Sequence, residues 1–286
     1  MNAIAPEPRV FLDYTQEELD RNFDQRAWVS DADALLRNHA VMSERARQRL
    51  RGTFDLRYGP CADETLDFFP ADAPGAPLVI FVHGGAWRAS SKESHSFVAN
   101  AYVPAGISVA IPEFGKLPGT AMPDVVEQIR RVIEWAGQGA GSFGCDAGNL
   151  HLVGHSSGAH LAATAVTADR SPVPVRSLAC ISGIYDLIPV MLSARRHYVH
   201  LSPQEAVRLS PLRRLQNLTC KTSVFFAEGD SMEFKRQSQI FADSLEAAGK
   251  LFSSRRFEAN HYDVLDMLDS PESLLSRALR QAALAI

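Results

Sequence analysis

Residues 149–166 read NLHLVGHSSGAHLAATAV. The first five, NLHLV, form an apolar run of the kind found in buried strands. The stretch SGAHLAATAVTA (157–168) has the composition of a helix. Between them lies GHSSG (154–158). With average glycine usage of about 7%, such a pentapeptide arises by chance in roughly one chain of this length in ten. The pentapeptide alone therefore decides nothing, and its neighbours must. A serine on a sharp strand-to-helix turn projects its hydroxyl from the sheet edge, and the turn is so tight that its flanks must be small. Gly154 and Gly158 meet that demand. The helix N-terminus behind Ser156 favours developing negative charge. In this setting Ser156 reads as a nucleophile.

The pattern outward from this stretch predicts the fold. Further buried strands are expected at PLVIFVH (77–83) and GISVAIP (106–112), and VRSLACIS (175–182), KTSVFFAEG (221–229) and LFSSRRFE (251–258) complete the strands. Helical stretches are expected near 91–103, 122–137, 157–168, 233–248 and 271–284. TFDLRY (53–58) and TLDFF (65–69) alternate in the strand manner around a turn signal, which predicts an antiparallel pair. Strands alternating with helices imply an α/β architecture: a doubly wound, mostly parallel sheet with helices on both faces. Ligands then bind beyond the carboxyl ends of the strands.

Two segments stand outside this alternation. Residues 1–52 read as a helical prefix packed on the main body. Thr15 and Glu18 form a capping box, Ser30 is expected to cap a second helix and Gly52 to end it. Residues 183–215 form a polar insertion containing RRHYVH (195–200), expected to be either a cap over the binding site or a pair of surface helices. The whole chain, 1–286, reads as a single domain.

Bulk properties restrict the functions. The chain has 286 residues, a formal net charge of −4, 46% hydrophobic and 22% charged residues. That is ordinary for a soluble globular protein. A nucleic-acid partner normally needs a basic face, and none is evident. The basic run RARQRLR (45–51) lies in a helical pattern and reads as a solvated face. No apolar run approaches the roughly 18 residues of a membrane span. The opening MNAIAPEPRVFLDYTQEELD lacks the basic-then-apolar order of a signal peptide. Cys61, Cys145, Cys180 and Cys220 form no C-x-x-C pair and fit no zinc spacing. Reduced thiols in a cytoplasm are expected, with no metal and no organic cofactor.

The remaining parts of a serine hydrolase are sought at the other strand ends. HGGAW (83–87) follows the strand VIFV. Its glycines let backbone N–H groups approach an oxyanion, so Gly85 and Ala86 are expected donors beside Ser157, the residue after the nucleophile. In this fold the acid and then the histidine follow the serine. His261, in EANHYD after the last strand, is the expected base. His197 and His200 lie in the insertion, while His83, His155 and His160 read as supports. Asp230, in FFAEGDSMEF at a strand's carboxyl end, is the expected acid. Glu228, Asp186 and Asp263 are its rivals. Trp87, Phe114 and Tyr185 could line an aromatic pocket, and Arg195 or Arg196 could meet a substrate carboxylate.

These motifs carry a resemblance. HGGAW, GHSSGAHLAA, SGIYDL, EGDSMEFKRQS and NHYDVLDML resemble blocks of the α/β-hydrolase group containing kynurenine formamidase (arylformamidase), near the hormone-sensitive-lipase-like esterases. LDRNFDQRA (19–27) is similar to that group's helical prefix. The resemblance spans about residues 15–270. It implies the α/β-hydrolase fold, with Ser156, Asp230 and His261 as nucleophile, acid and base. It implies hydrolysis of a small-molecule N-formyl aryl amide such as N-formylkynurenine, giving formate and an arylamine. The chain departs from the group at EFGKLPG (113–119), where a Tyr-Arg pair is usual, near the expected mouth of the site. A carboxylesterase acting on small esters is the nearer alternative, and a non-catalytic binding module the more distant one. Dimers are common in this fold, so a homodimer is also open.

Overall fold

The alternating apolar runs pair into one eight-stranded sheet, in the order β1-β2-β4-β3-β5-β6-β7-β8. The computed structural model describes residues 7–168 and 173–284; the first residues of the segment read for a signal peptide lie outside them. In chain order the regular elements are α1 (Gln16–Phe23), α2 (Ala32–Arg49), β1 (Thr53–Arg57), β2 (Thr65–Phe69), β3 (Ala76–Val82), β4 (Ser108–Pro112), α3 (Met122–Gly139), β5 (Cys145–His155), α4 (Ser157–Thr167), β6 (Ser177–Ile181), α5 (Ile188–Leu192), α6 (Pro203–Arg208), β7 (Lys221–Ala227), α7 (Met232–Ala247), β8 (Leu251–Phe257) and α8 (Leu274–Leu284). β1 and β2 pair antiparallel, as does β2 with β4. From β4 onward every neighbouring pair is parallel.

The central strands are apolar throughout because both faces are covered. Side chains alternate across the sheet. Leu78, Ile80 and Val82 of β3 face the core under α3, α4 and α7. Val79 and Phe81 face a second core, under α2, α8 and the 3₁₀ turns Glu93–Ala101 and Asp263–Asp269. The stretch expected to be helical near 91–103 is thus 3₁₀ rather than α.

The prefix forms the two expected helices, with corrected ends. The Thr15–Glu18 capping box opens α1. Asp31, not Ser30, caps α2, its carboxylate accepting from the Ala34 N–H at 2.8 Å. A full negative charge at a helix N-terminus gains from the dipole as well as the hydrogen bond. The helix ends at Arg49, before Gly52. In the basic run, Arg45, Arg49 and Arg51 are exposed. Arg47 instead turns inward, pairing with buried Asp67 and reaching Ser96. Lys92, also buried, binds the other Asp67 oxygen at 2.9 Å. A buried carboxylate needs such partners.

The insertion folds into short helical turns, α5, Ala194–His197, α6 and Pro211–Asn217. It does not stand off as a surface pair. Arg195, His197 and Tyr198 form one wall of the cavity above the sheet's carboxyl edge.

Candidate active site

β5 ends at His155 and α4 begins at Ser157, leaving Ser156 alone on the turn. Its backbone is strained, with φ 55° and ψ −122°. A non-glycine residue in such a conformation costs on the order of 1–3 kcal/mol and persists only where its surroundings impose it. Here the Ser156 N–H donates to the Ile181 carbonyl at 2.8 Å. A Cβ at Gly154 would lie 2.5 Å from the Gly158 carbonyl oxygen, and one at Gly158 would lie 2.1 Å from that of Val82. Both flanks must be glycine for the helix to pack this close to the strands.

The structure brings Ser156, His261 and Asp230 into one line. The Ser156 Oγ is 2.9 Å from His261 Nε2, and His261 Nδ1 is 2.6 Å from Asp230 Oδ1. All three residues are buried. An aspartate at Nδ1 requires Nδ1–H, which leaves Nε2 free to accept the serine proton. The rival acids are engaged elsewhere. Glu228 pairs with Arg256, Asp186 with Arg213, and Asp263 accepts from Asn260.

Two supports were not legible as such in the sequence. Ser182, just beyond β6 at φ 48°, donates to Asp230 Oδ2 at 2.6 Å, and the Ala227 N–H donates to the same oxygen at 2.9 Å. Asn260 braces the His261 turn by accepting from the Tyr262 and Asp263 N–H groups. Removing the Ser182 hydroxyl takes away a charge-assisted hydrogen bond worth about 1.5–3 kcal/mol. The variant Ser182→Ala is expected to lose roughly tenfold in kcat with little change in KM. Steady-state kinetics checks this, and an unchanged kcat would show that the Ala227 N–H alone holds the carboxylate.

His155 is a support: its Nε2–H donates to the His261 carbonyl at 3.0 Å, and burial lowers its pKa well below the usual value. His160 accepts from Trp87 Nε1 at 3.1 Å while its Nε2 reaches the Leu209 carbonyl, and burial lowers its pKa to about 4.

The loop after β3 holds Gly85, Ala86 and Trp87 at φ 119°, 54° and 63°. A Cβ at Gly85 would lie 2.1 Å from the Ala89 carbonyl oxygen. The Trp87 N–H donates to Ser157 Oγ at 3.2 Å, which ties this loop to the elbow. Among the described residues, the N–H groups of Gly85, Ala86 and Ser157 donate to no protein acceptor. Gly85 and Ala86 line the same cavity as His261. Loop and helix N-terminus thus offer uncommitted donors at the site.

That cavity measures about 820 Å³. The prefix supplies much of its wall, through Phe23, Asp24, Gln25 and Arg26, with Leu36 and His39 from α2. Gln25 and Asn22 clamp onto Ser231, the residue after Asp230, so the prefix is fixed to the turn that carries the acid. Among the described residues, no group of three or more histidines, cysteines or acids is placed to hold a metal.

The expected aromatic pocket is corrected. Trp87, Phe114 and Tyr185 are buried in the core and do not line the cavity. Trp87 is held by His160, Phe114 stacks on His83 at 4.5 Å, and Tyr185 stacks on Phe241 at 4.0 Å. The aromatic lining comes instead from Phe23, Tyr198 and Tyr262. Arg195 lines the cavity, whereas Arg196 is exposed and does not.

The segment 113–119 also lies elsewhere than expected. It packs behind the HGGAW loop, with the Leu117 N–H donating to the Trp87 carbonyl at 2.9 Å. Lys116 bridges Glu113 and His83. Burial alone would raise the Glu113 carboxyl, but the adjoining His83 ring and the Lys116 ammonium hold it at about 2. A depressed acid contributes stability above the ordinary carboxyl range, near 4.5, that is lost as pH falls toward 2. The acid limb of a pH–stability profile is therefore expected to flatten in Glu113→Gln, measured by urea unfolding. An identical limb would place this linkage in other groups.

Fold and site define an α/β-hydrolase. The BD-FAE family model matches residues 67–173. A kynurenine formamidase of Danio rerio is 31% identical over 93% of this chain and 95% of its own length. That of Salmo salar is 29% identical over 93% and 96%. The chain belongs to the kynurenine formamidase family, and it is a hydrolase. The esterase LipQ of Mycobacterium tuberculosis is more distantly similar, at 28% identity over 75% of this chain and 58% of its own. Among solved structures, a Silicibacter sp. TM1040 protein provisionally described as a thioesterase superposes with a TM-score of 0.83, at 25% identity over 92% of this chain and 99% of its own.

Proposed function

We propose that this hydrolase cleaves an N-formyl aryl amide, N-formylkynurenine foremost, through Ser156, His261 and Asp230. The observation that carries the reading is the hydrogen-bonded line from Ser156 through His261 to Asp230, opening on a cavity with uncommitted backbone donors. The formamidase relatives support the choice of substrate. His261 Nε2 takes the serine proton as Oγ attacks the formyl carbon. The N–H groups of Gly85, Ala86 and Ser157 receive the oxyanion; each such donor is typically worth around 3 kcal/mol in the transition state. The imidazolium, oriented by Asp230, protonates the departing arylamine nitrogen. Water then attacks the formyl-enzyme, with His261 as base, and releases formate.

The four cysteines are all free thiols, which supports a reducing, cytoplasmic setting. Among the described residues, no helix is long and apolar enough to cross a membrane.

A second reading, carboxylesterase, is favoured by the likeness to LipQ. Comparing kcat/KM for N-formylkynurenine and p-nitrophenyl acetate separates the two. The formamide is expected to be the better substrate. Turnover of the ester with an inert formamide would move the protein to the second reading.

A further inference from the structure

We propose that Arg195 reads a substrate carboxylate, making the cavity selective for aryl compounds with an acidic side arm. The inference rests on the proposed reacting centre only for the orientation of the bound substrate.

A guanidinium taken out of water costs several kcal/mol unless it is paired and hydrogen-bonded. Three partly buried guanidiniums of this chain pair with buried carboxylates: Arg47 with Asp67, Arg131 with Glu64, and Arg236 with Glu233. Arg195 differs from these three. It is only 9% exposed, yet among the described residues it forms no ion pair. Its Nε and Nη2 both donate to one neutral acceptor, the Phe23 carbonyl, at 3.1 and 2.6 Å. Its Nη1 is buried with no hydrogen-bond partner. Phe23, Trp87 and Phe234 surround it, with ring centroids 5.5, 5.5 and 5.8 Å from Cζ. Cation–π contact offsets part of the desolvation and leaves the positive charge unneutralised. Burial accordingly pushes its pKa down.

The position of this charge suits a substrate group. Arg195 lines the same cavity as Gly85, Ala86 and His261. Arg195 and His261 share a ring neighbour, Phe234, 5.1 Å from the His261 ring and 5.8 Å from the Arg195 Cζ. A carboxylate at Arg195 therefore lies in the cavity that the imidazole also faces. Nearby, Arg88 lies over the Tyr198 ring at 4.5 Å, adding positive charge on the same side. The cavity's acids are on the prefix: Asp20 accepts from the Ala194 N–H and Asp24 from that of Arg26, and Asp24 favours the Arg195 charge without pairing with it. An incoming carboxylate gives Nη1 the acceptor it lacks once the side chain shifts to present that nitrogen to the cavity. A solvated arginine such as Arg196 would give no such selectivity, because water already satisfies it.

The test compares two ligands that differ only in charge, 4-oxo-4-phenylbutanoate and its uncharged amide. Each is measured as an inhibitor of p-nitrophenyl acetate hydrolysis, or by thermal shift if the ester is not turned over. With wild type the acid is expected to bind at least about tenfold tighter, as a charge-assisted hydrogen bond implies. In Arg195→Gln and Arg195→Met the ratio is expected to fall to about one; Arg195→Lys should retain part of it. A purely structural arginine clamping Phe23 would weaken both ligands alike and leave the ratio unchanged. Equal binding of acid and amide by wild type overturns the proposal, and that measurement needs no variant to fold. A preference that survives in both neutral variants overturns it as well. Failure of the formamidase reading shows separately, as absent turnover of N-formylkynurenine with the acid-over-amide ratio intact.

Discussion

Replacing Ser156 with alanine is expected to lower kcat by about five to six orders of magnitude, as removal of a nucleophile does in comparable hydrolases. The backbone should be indifferent to the change. Alanine meets the same strain at φ 55° as serine. The elbow is imposed by contacts that remain: the Ser156 N–H bond to Ile181 and the close packing of Gly154 and Gly158. Thermal stability should therefore move little while turnover collapses. A fluorophosphonate probe should label wild type at Ser156 and leave the variant unlabelled. Activity within a hundredfold of wild type would mean that another group attacks the substrate.

Asp230→Asn is expected to cost about four orders of magnitude in kcat, through the tautomer of one ring. Asp230 Oδ2 accepts from both Ser182 Oγ and the Ala227 N–H. An asparagine keeps those two bonds only if its carbonyl oxygen takes the Oδ2 position. Its amide nitrogen then faces His261 Nδ1 and donates to it. The imidazole must respond by carrying its proton on Nε2, against the Ser156 hydroxyl, where it can no longer accept the serine proton. The substitution is isosteric, so the site is expected to keep its shape and the melting temperature to stay within a few degrees. Loss of kcat with an unchanged fold is the expected signature. A fall of less than tenfold would show that the carboxylate neither orients the ring nor stabilises its charged form.

Much of this molecule was legible in its sequence because the relevant signals are local. Apolar runs without alternation at 77–83, 106–112 and 149–153 mark strands covered on both faces, and the sheet contains them. A strand, two glycines and a helix within 20 residues define the elbow around Ser156, since nothing larger than hydrogen fits at 154 or 158. Asp230 and His261 could be picked out because each follows a strand in the order this fold demands.

Other features depend on which way a side chain points and what distant chain it meets. Arg195 and Arg196 are neighbours in sequence, but in a 3₁₀ turn successive residues point about 120° apart. One enters the cavity and the other enters solvent. Trp87, Phe114 and Tyr185 have the composition of a binding pocket, but each found a core partner and was buried. Arg47, in a run that looked solvated, met Asp67 twenty residues away and turned inward. Ser182 opens the SGIYDL block, but its role at Asp230 comes only from the meeting of β6 with the turn after β7. The prefix gave no sign of closing the site until Gln25 and Asn22 were seen to clamp Ser231 across more than 200 residues of chain. The sequence by itself determined the sheet, the elbow and the residues that follow its strands, because local sterics and periodicity leave few alternatives there. Tertiary structure decided the cavity, its charged wall and the supports of Asp230, because those depend on contacts between segments that no local pattern encodes.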